Sequence, residues 1–291
     1  MSQSRNYKDN RWLKNCGLCF ILIGLIFFAI YLFSIESTET ERDYLKEKAI
    51  VTGNTVSDND SKEVLAKEDT AESKKEKDKK TGKKKEEQPE TAANEYILDL
   101  SVLHQENPHL YGWLYIPDTN IDYPVMYTPD DEEYYLRRDF AGKYSFSGTL
   151  FCNKATKPKK DYGNTVIYGH NMRTGTMFQN LTKYGDHEFF DSHNSFWFSV
   201  YKEKEGVTDT GLYDVIAVIY TDVNEGCFKY WQISTEEESF NEYIAFLREY
   251  SIYDTEGLNS LKYGDRIITL STCVYHTRNG RLLIVGKREC L

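Results

Sequence analysis

The sequence predicts a mainly β protein: a closed eight-stranded barrel with peripheral helices, including one between the last strands, preceded by a single transmembrane helix. Three observations lead there. From residue 94 onward Tyr, Phe and Trp become frequent, and short β-branched runs such as LYDVIAVIY (212–220) and RIITLSTC (266–273) recur between turn signals. Eight such strands in one small domain leave edges that need closure or a second layer, and a barrel is the simpler way to hide them. Ahead of the domain, Cys16 to Ile35 is a run of 20 residues without a charge, long enough for one bilayer crossing.

The amino end divides into three segments. Residues 1–15 carry Arg5, Lys8, Arg11 and Lys14, whereas Glu36, Glu39, Glu41 and Asp43 follow the apolar run at 16–35. This asymmetry puts the amino terminus in the cytoplasm and the rest of the chain outside the cell, attached to the cell membrane by a single pass. The run begins too late and lacks the small-residue cleavage site of a signal peptide, so it reads as an uncleaved anchor. Cys16 and Cys19 form a C-x-x-C inside it, and no lipobox-like run precedes either; both read as apolar filler near the membrane face. Residues 36–93 are polar, dense in charge and poor in aromatics, with eight lysines between Lys74 and Lys85. Such a segment cannot bury enough apolar surface to fold alone and reads as a solvated tether. A second reading has the lysines touching anionic wall polymer or lipid headgroups. Export and a net charge of −10 argue against nucleic acid as a partner.

Residues 94–291 are long enough for one substantial core. Ile97, Leu98, Leu100, Val102 and Leu103 predict a lead-in helix that ends before Pro108. Strands are expected near 113–117, 121–127, 147–152, 164–169, 195–201, 212–221, 266–273 and 281–288, with an extended piece near 228–233. The PDTN at 117–120 reads as the turn joining the first two. Thr235 to Tyr250 carries Phe240, Tyr243, Ile244, Leu247 and Tyr250 at helical spacing, with Thr235 and Glu238 placed as a capping box.

Chemistry concentrates at three points. The strand pattern of Asp265 to Cys273 runs straight into a cysteine, Arg281 follows eight residues later, and His170 ends a similar strand in NTVIYGHN. A thiolate nucleophile, an imidazole that moves protons, and a guanidinium that holds an oxyanion or carbonyl make an acyl-transfer site. Taken singly, each has a plainer reading as a small buried side chain, a satisfied histidine or a solvated charge. His276 and Arg278 are rivals for the last two roles. His104, His109, His187 and His193 have no metal-ligand spacing around them, and no cofactor or metal site is expected. A free Cys273 is expected, because a disulfide would consume the nucleophile; Cys152, Cys227 and Cys290 stay open.

TLSTC (269–273), TVIYGHNM (165–172) and RLLIVGKR (281–288) resemble the three signature segments of sortases, the cysteine transpeptidases of Gram-positive cell surfaces. GWLYIPDTNIDYPVMY (112–127), YYLRRDF (134–140), SGTLFCN (147–153) and the helix before the last strands resemble class B in particular, so the likeness covers nearly everything after residue 95. It implies a sortase-type barrel with Cys273, His170 and Arg281 as catalytic residues, and Leu136, Ser271 and Thr272 as substrate contacts. It further implies a sorting-signal peptide, of Asn-Pro rather than Leu-Pro type, as acyl donor and a peptidoglycan amine as acceptor. Surface proteins would thereby be anchored to the cell wall. The chain departs from several class B sequences in carrying Tyr275 where an acidic residue stands two positions after the cysteine, so no acid is evident to orient His170. The competing expectations are a pilin-polymerising sortase, an extracellular cysteine protease and a non-catalytic surface scaffold.

Overall fold

The computed structural model describes residues 10–54, 98–152, 163–233 and 236–289. The lysine run at 74–85, the expected domain start at 94–97, the Thr235 cap and Cys290 lie outside these residues.

Eight strands close into a barrel. They are β1 (Leu110–Tyr115), β2 (Asp122–Tyr127), β3 (Leu150–Cys152), β4 (Gly163–Tyr168), β5 (Ser195–Lys202), β6 (Val207–Asp222), β7 (Arg266–Cys273) and β8 (Gly280–Arg288). Their order around the barrel is β1-β2-β3-β4-β7-β8-β6-β5, and β5 returns to pair with β1 from Trp197 to Val200. All eight expected strands are present. The PDTN turn also stands, closed by the Ile116 amide donating to the Ile121 carbonyl at 2.9 Å. Most neighbours are antiparallel; β2/β3 and β4/β7 are parallel. The β4/β7 pair positions the chemistry, because two parallel strands bring their carboxyl ends to the same rim.

Both faces of the central strands are covered, which is why apolar residues stand side by side in RIITLSTC and RLLIVGKR rather than strictly alternating. Ile268, Leu270, Leu282 and Ile284 point into the barrel with Leu114, Val125, Ile167 and Phe198. Ile267, Leu283 and Val285 point outward beneath α4 (Glu237–Tyr250), which lays down Phe240, Tyr243, Ile244 and Leu247. Glu237 and Glu238 in its first turn face the positive end of its dipole.

A third cluster covers another part of the barrel wall. Trp113, Met126 and Phe151 are buried there beneath α2 (Ser101–Glu106) and a long helix, α1 (Asn10–Asn54). α1 changes two expectations. The transmembrane helix drawn over 16–35 is not a separate element but the first part of α1, which exposes Leu18, Phe20, Ile26, Phe27 and Leu32. Among the described residues no helix is long and apolar enough to cross a membrane. Residues 36–54, read as tether, are helical, and Thr38, Leu45 and Ala49 are buried on one face against the domain. The charged residues between them hide this stripe in the sequence. The extended piece expected at 228–233 is instead a 3-10 turn at Tyr230–Gln232 that buries the Tyr230 ring, while α3 (His187–Ser192), capped by Asp186, was not anticipated.

Candidate active site

Cys273 is the last residue of β7 and pairs directly across the ladder with Arg281 near the start of β8. Side chains of directly opposed residues lie on one face, so the thiol and the guanidinium share a face with Ser271 and Leu283, outside the barrel. Cys273 is a free, partly exposed thiol. Arg281 is tethered to its own loop, donating through Nη1 to the carbonyls of Asn279 (3.2 Å) and Gly280 (3.1 Å).

His170 follows β4 by two residues, on the rim where β7 ends. Three hydrogen bonds join the rims. The Gly169 amide donates to the Ser271 carbonyl at 3.2 Å, the Thr272 hydroxyl to the Gly169 carbonyl at 2.8 Å, and Asn171 Nδ2 to the Cys273 carbonyl at 2.9 Å. Gly169 is required sterically, since a Cβ there would come within 2.5 Å of Leu150 and 2.7 Å of Phe178. The chain can then pass close over the barrel mouth and still present the imidazole.

The group that orients His170 is a backbone carbonyl. Nε2 lies 2.9 Å from the Leu136 oxygen; a carbonyl only accepts, so Nε2 carries the proton and Nδ1 is the basic nitrogen of the neutral ring. Burial lowers the His170 pKa below its usual 6.5, with the Arg137 charge adding to the effect and the Leu136 hydrogen bond opposing it. The imidazole is therefore mostly neutral at pH 7.

These residues line a cleft of about 510 Å³. Glu132, Glu133, Tyr230 and Trp231 line it as well, and Phe151 and Tyr168 add aromatic surface. All six residues singled out from the sequence line it: His170, Cys273, Arg281, Leu136, Ser271 and Thr272. The hydroxyls of Ser271 and Thr272 are occupied within the protein, by Tyr230 and by the Gly169 carbonyl. His276 and Arg278 are exposed on the β7–β8 loop, where His276 packs edge-on to Tyr220 with ring centroids 5.4 Å apart. Neither lines the cleft. Tyr230 was missed. It is buried, its hydroxyl lies 2.9 Å from Ser271 Oγ, and burial raises its pKa while the Arg281 charge acts to lower it. The only sequence signal was an aromatic pair, Tyr230–Trp231, in a segment expected to be extended. Among the described residues no group of three or more His, Cys, Asp and Glu is arranged to hold a metal ion.

A barrel with a cysteine, a histidine and an arginine on one rim defines a class, and comparison with known proteins agrees. The family model described as the sortase domain matches residues 114–289. Sortase B of Listeria monocytogenes is 34% identical over 194 residues, covering 65% of this chain and 73% of that protein; sortase B of Staphylococcus aureus is 28% identical over 190 residues, covering 64% and 72%. Among solved structures, Listeria monocytogenes sortase B superposes with a TM-score of 0.52 at 33% identity, covering 65% of this chain and 99% of that one. Bacillus anthracis sortase B in complex with AAEK1 gives 0.54 at 28% identity, covering 65% and 83%. The chain belongs to the sortase family, in its class B. Its activity is that of a cysteine transpeptidase.

Proposed function

We propose that this sortase cleaves a carboxy-terminal sorting signal of exported proteins through a thioester on Cys273 and passes the acyl group to a peptidoglycan amine, fixing surface proteins to the cell wall. The observation that carries this reading is the parallel β4/β7 pairing, which brings Cys273, His170 and Arg281 to one rim beside a cleft of about 510 Å³.

The donor peptide lies in the cleft with its scissile carbonyl at Cys273. His170, neutral at pH 7, takes the thiol proton as sulfur attacks the carbonyl carbon. The carbonyl oxygen becomes an oxyanion, which the Arg281 guanidinium stabilises from the same face. As the intermediate collapses, the C–N bond breaks and the imidazolium delivers its proton to the departing amine, leaving the thioester. A neutral acceptor amine then attacks, His170 takes a proton from it, the C–S bond breaks as the new amide forms, and the imidazolium returns its proton to the departing thiolate. Water in place of the amine gives hydrolysis.

The donor motif is of Asn-Pro type, by class B resemblance. A membrane location, with the amino terminus cytoplasmic and the barrel outside, rests on the charge-free run at 16–35 and its flanking charges alone, since among the described residues no helix is long and apolar enough to cross a membrane. The test uses the full chain in detergent with quenched Asn-Pro and Leu-Pro peptides, with and without an amine acceptor, and mass spectrometry of products. Cys273-dependent cleavage with an acceptor-joined product supports the reading. Free acid alone would indicate a protease, joining only to a pilin lysine a polymerising enzyme, and no Cys273-dependent product a scaffold.

A further inference from the structure

The carbonyl that holds His170 belongs to a segment that is itself held from outside the barrel. Leu136 sits in a short 3-10 turn, Tyr134–Arg137, which leads into the loop 138–148 and returns to β3. Loop and turn are stitched together, with the Ser145 amide on the Arg137 carbonyl (3.0 Å) and the Thr149 amide on the Tyr135 carbonyl (3.0 Å). At the end of the loop the backbone of Gly148, at φ +61°, passes so close that a Cβ there would lie 2.4 Å from the Leu136 oxygen. Where residues 147–148 sit therefore limits where that oxygen can point.

α1 grips this loop at two places. Thr38 Oγ1 donates to Ser147 Oγ at 3.2 Å, in a buried contact between residues 109 apart in sequence. One turn further on, the Glu41 carboxyl accepts the Phe140 amide at 2.9 Å, and Phe140 is buried in the same cluster as Leu45 and Ala49. Lys46 adds an ion pair to Asp122, whose other oxygen accepts from Trp113 Nε1. The route from α1 to the imidazole is thus short and continuous, running from Thr38 and Glu41 to the 138–148 loop, to the Leu136 carbonyl, to His170 Nε2.

We propose that the second half of α1 is a positioning element of the active site, with Thr38 and Glu41 holding the loop that aims the Leu136 carbonyl at His170. The catalytic consequence rests on the role given to His170 above; the geometric consequence does not. With the loop released, the imidazole loses the partner that fixes its tautomer and ring plane, and chemistry suffers before substrate binding does.

The experiment compares the full chain in detergent with T38V/E41A, S147A and E41Q. For T38V/E41A the expected result is a fall in kcat of about tenfold with KM within about twofold. The limb of the pH profile carried by His170 should move to lower pH, because the Leu136 hydrogen bond that raises the imidazole is weakened. S147A should show a smaller change in the same direction. E41Q, whose amide oxygen still accepts the Phe140 N–H, should keep kcat within about twofold. Nitrogen-15 shifts of His170 give a readout independent of turnover: Nε2–H dominates in the wild type and a tautomer mixture appears in T38V/E41A. A folded T38V/E41A with an unchanged histidine signal and unchanged pH limb would overturn the proposal, as would a lowered melting temperature with no histidine change. Turnover that survives His170→Ala would instead overturn the functional reading, and the nitrogen shifts would still decide the positioning role.

Discussion

Replacing Glu41 with glutamine should stabilise the protein, and increasingly so as pH rises. The Glu41 carboxyl is largely buried between α1 and the 138–148 loop, and burial lifts its pKa from 4.5 to about 7. Asp139 pushes in the same direction, while the Phe140 amide and the Lys143 charge oppose the rise. Because the folded value lies above the unfolded one, the favourable contribution is complete below pH 4.5 and is lost as pH rises through 7. Such a difference corresponds to about 3 kcal/mol against the ionised form, and the part of the side chain that meets water reduces this to about 2 kcal/mol. Glutamine keeps the oxygen that accepts from Phe140 and has no ionised form. The two proteins should melt at nearly the same temperature at pH 4.5, whereas at pH 8 the variant should melt about 4–8 °C higher. Amide exchange of residues 138–148 should slow in parallel. A variant that melts at or below the wild type at pH 8, or a gap that does not grow with pH, would refute a buried carboxyl docked on this loop.

Three further outcomes are expected. Gly148→Ala forces a left-handed residue to carry a Cβ against the Leu136 and Tyr135 carbonyls, at 2.4 and 2.7 Å; strain of about 2 kcal/mol or more should appear in thermal melts, with a drop in kcat. Arg281→Lys should lose most activity, about 10- to 100-fold in kcat, if the guanidinium holds the oxyanion as proposed, because an ammonium cannot copy its fork; near-normal kcat would remove the guanidinium from the mechanism. Asp209 accepts from both terminal nitrogens of Arg288, at 3.1 and 2.7 Å, and this pairing, with help from Lys202, pulls its pKa down to about 2. Its stabilisation is present above about pH 4 and lost as pH falls toward 2, so Asp209→Asn should cost about 1 kcal/mol at pH 7 and flatten acid unfolding over that range.

What could be read from the chain alone was local. Aromatic and β-branched runs between turn signals gave all eight strands; helical spacing placed α4, whose Phe240, Tyr243 and Leu247 are fully buried. Three short motifs named Cys273, His170 and Arg281, and the cleft gathers all of them. What tertiary structure decided was which strands adjoin and what the backbone does between motifs. The β4/β7 pairing joins segments about 100 residues apart, and strand order is a property of the closed barrel rather than of either strand. The orienting partner of His170 is a main-chain carbonyl, which every residue carries and no side-chain pattern can mark; the search for an acid at position 275 could not have found it. Tyr230 reads like any aromatic until its hydroxyl meets Ser271. The buried stripe of α1, from Thr38 to Leu45 to Ala49, is diluted by charged residues, among them Lys46 and Lys48, which pair with Asp122 and Glu106. Only the docked helix shows that this charged segment reaches the loop beside the Leu136 carbonyl that meets His170.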